Sequence, residues 1–353
     1  MRVHVVDPSA YTPPYDHELC AALARAGASV ELYTSAFPYA ALPAVDGYER
    51  RIHFYRRARG DAGSSARRVS KALEHVPDML RYRRAAQGAD VSHFQWLAAP
   101  AIDTALLPRG RPLVLTAHDA PAGASMYRPF GALIAHSQAS RRRLIEAGVD
   151  GAKVHVIPLG PYDHLAALQP APLPAELGDS GEAVVLCFGL LRPYKGIDVL
   201  LDAWRALTGA QLWIVGRPRY DISALRAAAP PGVQWVARFV SDAELAACFR
   251  RADLVVAPYR GGEQSGVVAA ALAFGSPLLL SDVGGFGEVA AAGAAALVAP
   301  GDAVALRAAL EELLGDAGAR GRLAAGARAL ARGEWSWRRI AEQTLELYRS
   351  LVR

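Results

Sequence analysis

Cysteine is scarce in this chain of 353 residues: Cys20, Cys187 and Cys248 are its whole complement. They are odd in number and far apart, with no CxxC and no histidine pair nearby, which excludes a disulfide framework and a structural zinc site. Small buried hydrophobes are the expectation for all three. Long apolar runs are also missing. The longest, Val267 to Leu280, has 14 residues and is broken by Gly275, Ser276 and Pro277, short of the roughly 20 that cross a bilayer. The opening segment breaks at Asp7 and Pro8 before a signal-peptide core is complete, so a cytoplasmic protein is expected. No carboxylate cluster has the spacing of a magnesium or manganese site, so neither a metal nor a resident cofactor is expected.

What is present is enough apolar material for a core, 52% of residues against 21% charged, and a length that suggests about two domains at roughly 150 residues each. Basic charge is unevenly placed. Through residue 165 there are 20 Lys plus Arg against 15 Asp plus Glu, and beyond it 19 against 19. The excess gathers at Arg50, Arg51, Arg56, Arg57 and Arg59, at Arg67, Arg68 and Lys71, at Arg81, Arg83 and Arg84, and at Arg141 to Arg143. Aromatic residues are not interleaved with it as in a single-strand groove, which argues against nucleic acid. An anionic acceptor or a peripheral contact with the inner membrane face is the expected partner, with a plain solvated face as the alternative.

Short apolar runs alternate with amphipathic segments. Val3 to Val6, a helix from Asp16 to Ala26 and Ser29 to Thr34 open the pattern, which continues at Leu113 to Thr116, Ala132 to Ala135 and Val154 to Ile157. It restarts at Ala183 to Phe188, with a helix carrying Ile197, Leu200, Leu201, Trp204 and Leu207 on one face, then Leu212 to Val215, Val233 to Val236, Leu254 to Ala257 and Pro277 to Ser281. Strand, helix, strand implies a parallel sheet covered on both faces. The expected fold is therefore α/β, with two doubly wound, Rossmann-like domains at residues 1–165 and 183–337 and a proline- and glycine-rich linker at 166–182. A closing helix at 338–353 sets Ile340, Thr344, Leu347, Tyr348 and Leu351 on one stripe that can pack back on the first domain. Open parallel sheets bind ligands beyond the carboxyl ends of their strands, which points to a cleft where two such domains face one another.

Two loops carry the chemistry. Phe188-Gly189-Leu190-Leu191-Arg192-Pro193-Tyr194-Lys195-Gly196 lies between a strand and a helix, where backbone amides and a positive helix end meet an anion. Arg192 and Lys195 suit the two phosphates of a diphosphate, one as a fork and one as a point charge. Lys195 is one of three lysines beside 36 arginines. The second loop, Pro258 to Val267, offers small residues for close approach and Glu263, Gln264 and Ser265 for sugar hydroxyls. Each loop by itself is equally compatible with solvated cations or with a capping turn that binds nothing.

Together FGLLRPYKGIDVLLDAW, VVAPYRGGEQSGVVAAALAFGSPLLLSDVGGFGEV and the N-terminal YTPPYDHELCAALARAGASVELYTS resemble the nucleotide-sugar glycosyltransferases of the GT-B fold, retaining family 4, over nearly the whole chain. The resemblance implies that Arg192 and Lys195 neutralise the donor diphosphate and that Glu263, sharing the assignment with Gln264 and Ser265, contacts the donor sugar. It implies further donor contacts from Gly189, Gly216, Gly266 and Val267, from Glu288 in a Gly-Gly-x-x-Glu turn, and from Arg238 and Phe239 where the base is seated. His118, in Thr116-Ala117-His118-Asp119, would face the donor sugar; His93 reads as structural. The second glutamate of the family's pair, which holds the donor ribose, is replaced by Ala270. In place of a glycine-rich first loop stands Tyr-Thr-Pro-Pro-Tyr-Asp at 11–16, so Tyr15, Asp16 and Asp119 are the acceptor-side candidates.

The resemblance implies transfer of a hexosyl unit from a UDP- or GDP-sugar to the hydroxyl of a glycan, lipid-linked or small-molecule acceptor, with retention and without a metal. Two other classes compete. Gly285-Phe286-Gly287-Glu288-Val289-Ala290, with Asp302 further on, fits a loose dinucleotide fingerprint and would suit an NAD-dependent oxidoreductase, but it falls on a fifth strand rather than a first. The missing second glutamate would suit a catalytically silent nucleotide-sugar binding protein.

Overall fold

The computed structural model describes residues 1–39, 41–60, 64–119 and 123–352. The chain divides into two compact units, Met1–Leu159 with Trp337–Arg353, and Gly160–Ser336. In the N-terminal unit β1 (Arg2–Asp7), α1 (Pro13–Arg25), β2 (Ser29–Ser35), β3 (Glu49–Phe54), α2 (Ser65–Ala85), β4 (Val91–Phe94), α3 (Pro100–Leu106), β5 (Leu113–Thr116), β6 (Ala132–Ala135), α4 (Gln138–Glu146) and β7 (Val154–Val156) follow one another. Their strands form one parallel sheet in the order β3-β2-β1-β4-β5-β6-β7.

The C-terminal unit begins with α5 (Asp163–Ala166) and runs through β8 (Ala183–Phe188), α6 (Ile197–Trp204), β9 (Ala210–Val215), α7 (Ser223–Ala227), β10 (Val233–Val236), α8 (Asp242–Arg251), β11 (Leu254–Ala257), α9 (Gly266–Phe274), β12 (Leu278–Ser281), α10 (Phe286–Ala291), β13 (Ala295–Val298), α11 (Ala303–Gly315) and α12 (Ala317–Arg332). Its sheet is parallel too, β10-β9-β8-β11-β12-β13. Successive strand residues point to opposite faces. Val184 and Leu186 thus join Phe249, Leu272 and Phe286 in one core layer, while Val185 and Cys187 join Trp204 and Leu310 in the other. Cys20, Cys187 and Cys248 are all free and buried.

The last helix, α13 (Trp337–Val352), returns to the N-terminal unit and packs on α1, burying Ile340, Thr344, Leu347 and Tyr348. The boundary between units differs from the expected linker. The second unit starts at Gly160, because the Tyr162 N–H donates to the Ala269 carbonyl and α5 packs on α8 and α9. Residues 166–182 are also tied to that unit: Leu177 sits in its core, and the Gln234 amide bridges the N–H and carbonyl of Gly178.

Both sheets reverse their strand order beside the first strand, at β1/β4 and at β8/β11, and such switch points open crevices at the carboxyl ends of the strands. In the N-terminal unit β1 ends on Asp7, which is fully buried and accepts the N–H groups of Ser9, Tyr11 and Thr12 at 3.2, 2.6 and 3.1 Å, shaping the turn into α1. Asp7 shares a hydrogen bond with Asp16, and burial followed by the Asp7 charge holds the Asp16 carboxyl well above the ordinary carboxylate range. One proton is therefore held between the two.

Two outcomes follow. A carboxyl whose pKa rises on folding loses stability as pH climbs from its unfolded value toward its folded one, by about 1.4 kcal/mol per pH unit. Asp16→Asn, which keeps the donor to Asp7, should therefore gain melting temperature over the native chain progressively from pH 4 upward; a difference that stays flat with pH removes the shared proton. In the other unit Gly216 has φ +149°, and a Cβ there would lie 1.9 Å from the Gly189 carbonyl oxygen. Gly216→Ala should cost about 3 kcal/mol, roughly 6–12 °C in Tm for a unit of this size, and an unshifted melt would show that the crossing relaxes freely.

Candidate functional site

In the C-terminal unit three loops converge beyond β8, β11 and β12. The first two are stitched together: the Arg260 N–H donates to the Tyr194 carbonyl at 2.7 Å, and the Arg260 guanidinium grips the Asp198 carboxylate at 2.7 and 2.5 Å. Gly196, in the left-handed region at φ +65°, turns directly under the Pro258 carbonyl, which a Cβ would meet at 2.0 Å. The third loop joins through the Gly285 N–H, which donates to the Glu263 carbonyl at 3.0 Å.

Lys195 is drawn inward by this frame and is only 6% exposed. Its ammonium donates to the Tyr259 hydroxyl and lies 4.2 Å from the centre of that ring. Among the described residues it pairs with no carboxylate, and burial lowers its pKa from the usual lysine value. The proton chain can be followed outward. With the ammonium donating to it, Tyr259 O–H donates to Ser265 Oγ at 3.0 Å, and Ser265 Oγ also accepts the Val267 N–H at 3.2 Å as the cap of α9. The Ser265 proton is left to donate outward. The neighbouring Gln264 Nε2 is buried with no hydrogen-bond partner. Buried donors in excess of acceptors call for an oxygen-rich ligand.

The other donor-side candidates fall around this point. Arg192 is exposed at the mouth of the first loop, and Gly189 approaches so closely that a Cβ would lie 3.3 Å from Lys195 Nζ. Glu263 is buried, Gly266 faces the Tyr162 ring, and Glu288 is half-buried in the first turn of α10. Ala270 is buried within the apolar core on α9, so no carboxylate arises there. Arg238 is already held by two carboxylates, Glu176 and Glu244, with contacts of 2.7–3.2 Å, while Phe239 stands exposed beside it. The glycines at 285–287 do not form a phosphate cradle, since the N–H groups of Gly285, Phe286 and Glu288 are spent on the Glu263, Val283 and Gly285 carbonyls.

The N-terminal switch point is built from imidazoles. His118, half-buried, stacks on Trp96 with ring centres 4.9 Å apart and meets the edge of Tyr15 at 5.1 Å. Its Nε2 contacts the Gln95 side chain at 3.2 Å and its Nδ1 contacts His136 Nε2 at 3.2 Å; His136 Nδ1 reaches the Ile157 carbonyl at 3.0 Å. On the far side Gln95 meets His93, which is bonded to Thr116 at 2.7 Å and to the Tyr348 hydroxyl of α13 at 2.5 Å. Burial pushes His93 to about 3 and His136 to about 4, and lowers His118 well below the usual value. Tyr15 and Asp16 are buried beneath this network and Asp119 is exposed beside it. His93 was read as structural, and His136 and Gln95 were not singled out, because a polar residue in or just after a short apolar strand carries no spacing signal. Among the described residues no three His, Cys, Asp or Glu side chains gather as metal ligands.

Residues 15–161 match the family described as Glycosyltransferase Family 4, and residues 182–316 that described as Glycosyl transferases group 1. The chain is 30% identical to a D-inositol 3-phosphate glycosyltransferase of Xylanimonas cellulosilytica over 95% of this chain and 90% of that one. It is 37% identical to a phosphatidyl-myo-inositol mannosyltransferase of Mycobacterium leprae over 62% of this chain, spanning 59% of that relative's length. Among solved structures, Anabaena Alr3699/HepE in complex with UDP-glucose superposes with a TM-score of 0.73 at 20% identity, over 99% of this chain and 100% of that one. With both family matches falling on the two parallel-sheet units and a relative aligned almost end to end, the chain belongs to glycosyltransferase family 4 and has the GT-B fold.

Proposed function

We propose that this chain transfers a hexosyl unit from a nucleoside diphosphate sugar to an acceptor hydroxyl, with retention of configuration and without a metal ion. The observation that carries the reading is the buried Lys195 ammonium, unpaired with any carboxylate among the described residues and bordered by the unspent donors of Ser265 and Gln264. Such a group is satisfied when an anion arrives. Arg192, exposed on the same loop, adds a fork for the second phosphate. As the glycosidic bond breaks, negative charge grows on the bridging oxygen, and cations already fixed in place stabilise it without reorganisation. The acceptor hydroxyl then attacks the face the diphosphate has just left, passing its proton to the departing oxygen, so the protein supplies no nucleophile.

UDP is favoured over GDP by the UDP-glucose bound to the Anabaena structure. Both sequence relatives are named for inositol compounds, so a cyclic polyol is the acceptor class to test first. His118, with both ring nitrogens engaged, acts as a positioning residue for the crevice.

Lys195→Ala removes a contact that strengthens as the bond breaks, and loss of one such contact costs about 2.7–4 kcal/mol, roughly a hundred- to thousandfold in turnover. Single-turnover kinetics at saturating UDP-sugar, beside the melting curve, measure it; a folded variant within threefold of the native rate ends the leaving-group role. Proton NMR of the first product should show the donor's anomeric configuration, and turnover should survive EDTA. Inversion overturns retention, and EDTA sensitivity overturns the metal-free step. A chain that is stabilised by UDP-sugars yet never turns over any acceptor is the silent binding protein instead.

A further inference from the structure

Tyr15 and Asp16 are each 1% exposed, so neither reaches an acceptor. What the first loop presents instead is Tyr11, 58% exposed. A lone exposed aromatic residue is ordinary, but this one is fixed from below. Its N–H donates to Asp7 Oδ2 at 2.6 Å, and its ring meets that of Trp96 at 69° with centres 5.5 Å apart. Trp96 in turn stacks on His118 at an interplanar angle of 13°, and its indole N–H donates to Thr12 Oγ1 at 3.1 Å. The backbone here is strained. Among the described residues only two non-glycine residues lie in the left-handed region, Ala10 at φ +51° and Tyr55 at φ +53°. One is in this loop and the other is bonded to it. The Tyr55 hydroxyl shares a hydrogen bond with Ser9 and another, at 2.8 Å, with His75 Nδ1, whose Nε2 meets the buried Asp103 carboxylate at 2.5 Å. Lys71 Nζ also donates to Ser9 Oγ, at 3.2 Å, and lies 4.3 Å from the centre of the Tyr55 ring. Strain of this kind persists only where surrounding bonds over-determine it, and it gathers at ligand clamps.

We propose that Tyr11, braced by Trp96, is the wall on which the acceptor lays the C–H face of a saturated polyol ring. This contact rests on the transfer read from the other unit and adds to it the seat of the acceptor. The chemistry of the wall selects this occupant. An aromatic ring is negative on its face and positive at its edge. A ring polyol carries on its faces C–H hydrogens drawn positive by the neighbouring oxygens, and it carries its hydroxyls around the rim. Laid on Tyr11, such a ring sets its C–H bonds against the π face. Its hydroxyls stay free for Ser9 and Thr12 of the same loop and for the exposed Asp119 beside His118. A planar base stacks on the same face without calling on those hydroxyl partners, which makes uracil the competitor that the test separates.

The test is saturation-transfer NMR on the full chain, irradiating the methyl protons of the protein, with myo-inositol, methyl α-D-glucoside and uridine as separate probes, each with and without UDP. Ring C–H signals from a ring polyol should appear with the native chain and with Tyr11→Phe, which keeps the aromatic face. Tyr11→Leu, which keeps apolar bulk without that face, should weaken binding about three- to tenfold. Tyr11 lies toward solvent, so the melting temperatures of both variants should hold. Absence of signal from both ring polyols with the native chain overturns the proposal, as does an affinity that Tyr11→Leu leaves unchanged. Uridine signals that Tyr11→Leu abolishes, with the polyol signals unaltered, assign the wall to a base instead. A native chain that binds a ring polyol through Tyr11, but whose melting temperature UDP-glucose does not raise, keeps the wall and removes the transfer.

Discussion

Taking an ammonium group out of water costs several kilocalories per mole unless its protons find acceptors, and the loops of the C-terminal unit are arranged around that demand at Lys195. Its ring contact with Tyr259 supplies the attraction of an aromatic quadrupole, and the phenol oxygen accepts one proton. Neither neutralises the charge. The glycines follow from the same demand: at Gly189 a Cβ would lie 3.3 Å from Nζ and 3.0 Å from Val267 Cγ2, inside the space the ammonium faces. The stability of Tyr259, Ser265 and α9 is therefore linked to a charge that the unit leaves uncompensated, an arrangement that makes sense when binding supplies the anion.

The equivalent position in the N-terminal unit is handled in the opposite way. There, at the switch point of the other sheet, burial keeps a proton between Asp7 and Asp16 and keeps His93, His118 and His136 neutral. One crevice thus presents a bare cation, and the other presents neutral imidazoles over a carboxyl pair that keeps one proton. In the proposed transfer this matches the partners: the departing diphosphate is anionic, and the attacking group is a neutral hydroxyl.

The strands with unbroken apolar runs, such as β8 and β11, were legible because parallel strands buried on both faces leave no polar alternation. β3 was not, since Glu49-Arg50-Arg51-Ile52-His53-Phe54 is an edge strand whose charges face water and read as a basic cluster. α2 was hidden for a related reason: its apolar stripe and its arginines share the exposed arc, and only the fold says which arc is outside. Among the site residues Lys195 and Ser265 were visible through their loops. Tyr259 was not singled out as the lysine's partner, because that contact is made across 64 residues. Arg238 was legible as a cation after a strand, but its engagement by Glu176 depends on where residues 166–182 pack.

Proton bookkeeping shows how the returning helix is fixed. His136 Nδ1 faces a carbonyl and must carry a proton; a neutral His136 then accepts at Nε2 from His118 Nδ1–H. That leaves His118 Nε2 bare, so it needs a donor, and a Gln95 oxygen in that position would require an extra proton in the network. With burial opposing charge on all three rings, a neutral network has the Gln95 amide turned to donate to His118, and the His93 Nε2–H is shared between Thr116 Oγ at 2.7 Å and the Gln95 side chain at 3.4 Å. His93 Nδ1 is then an acceptor, and the Tyr348 hydroxyl of α13 donates to it. A single direction of donation runs from the last helix to the Ile157 carbonyl just beyond β7. Replacing any member by a group of the wrong polarity would strand a buried donor or acceptor several residues away, so the seat of α13 and the orientation of His118 are set by the same chain of bonds.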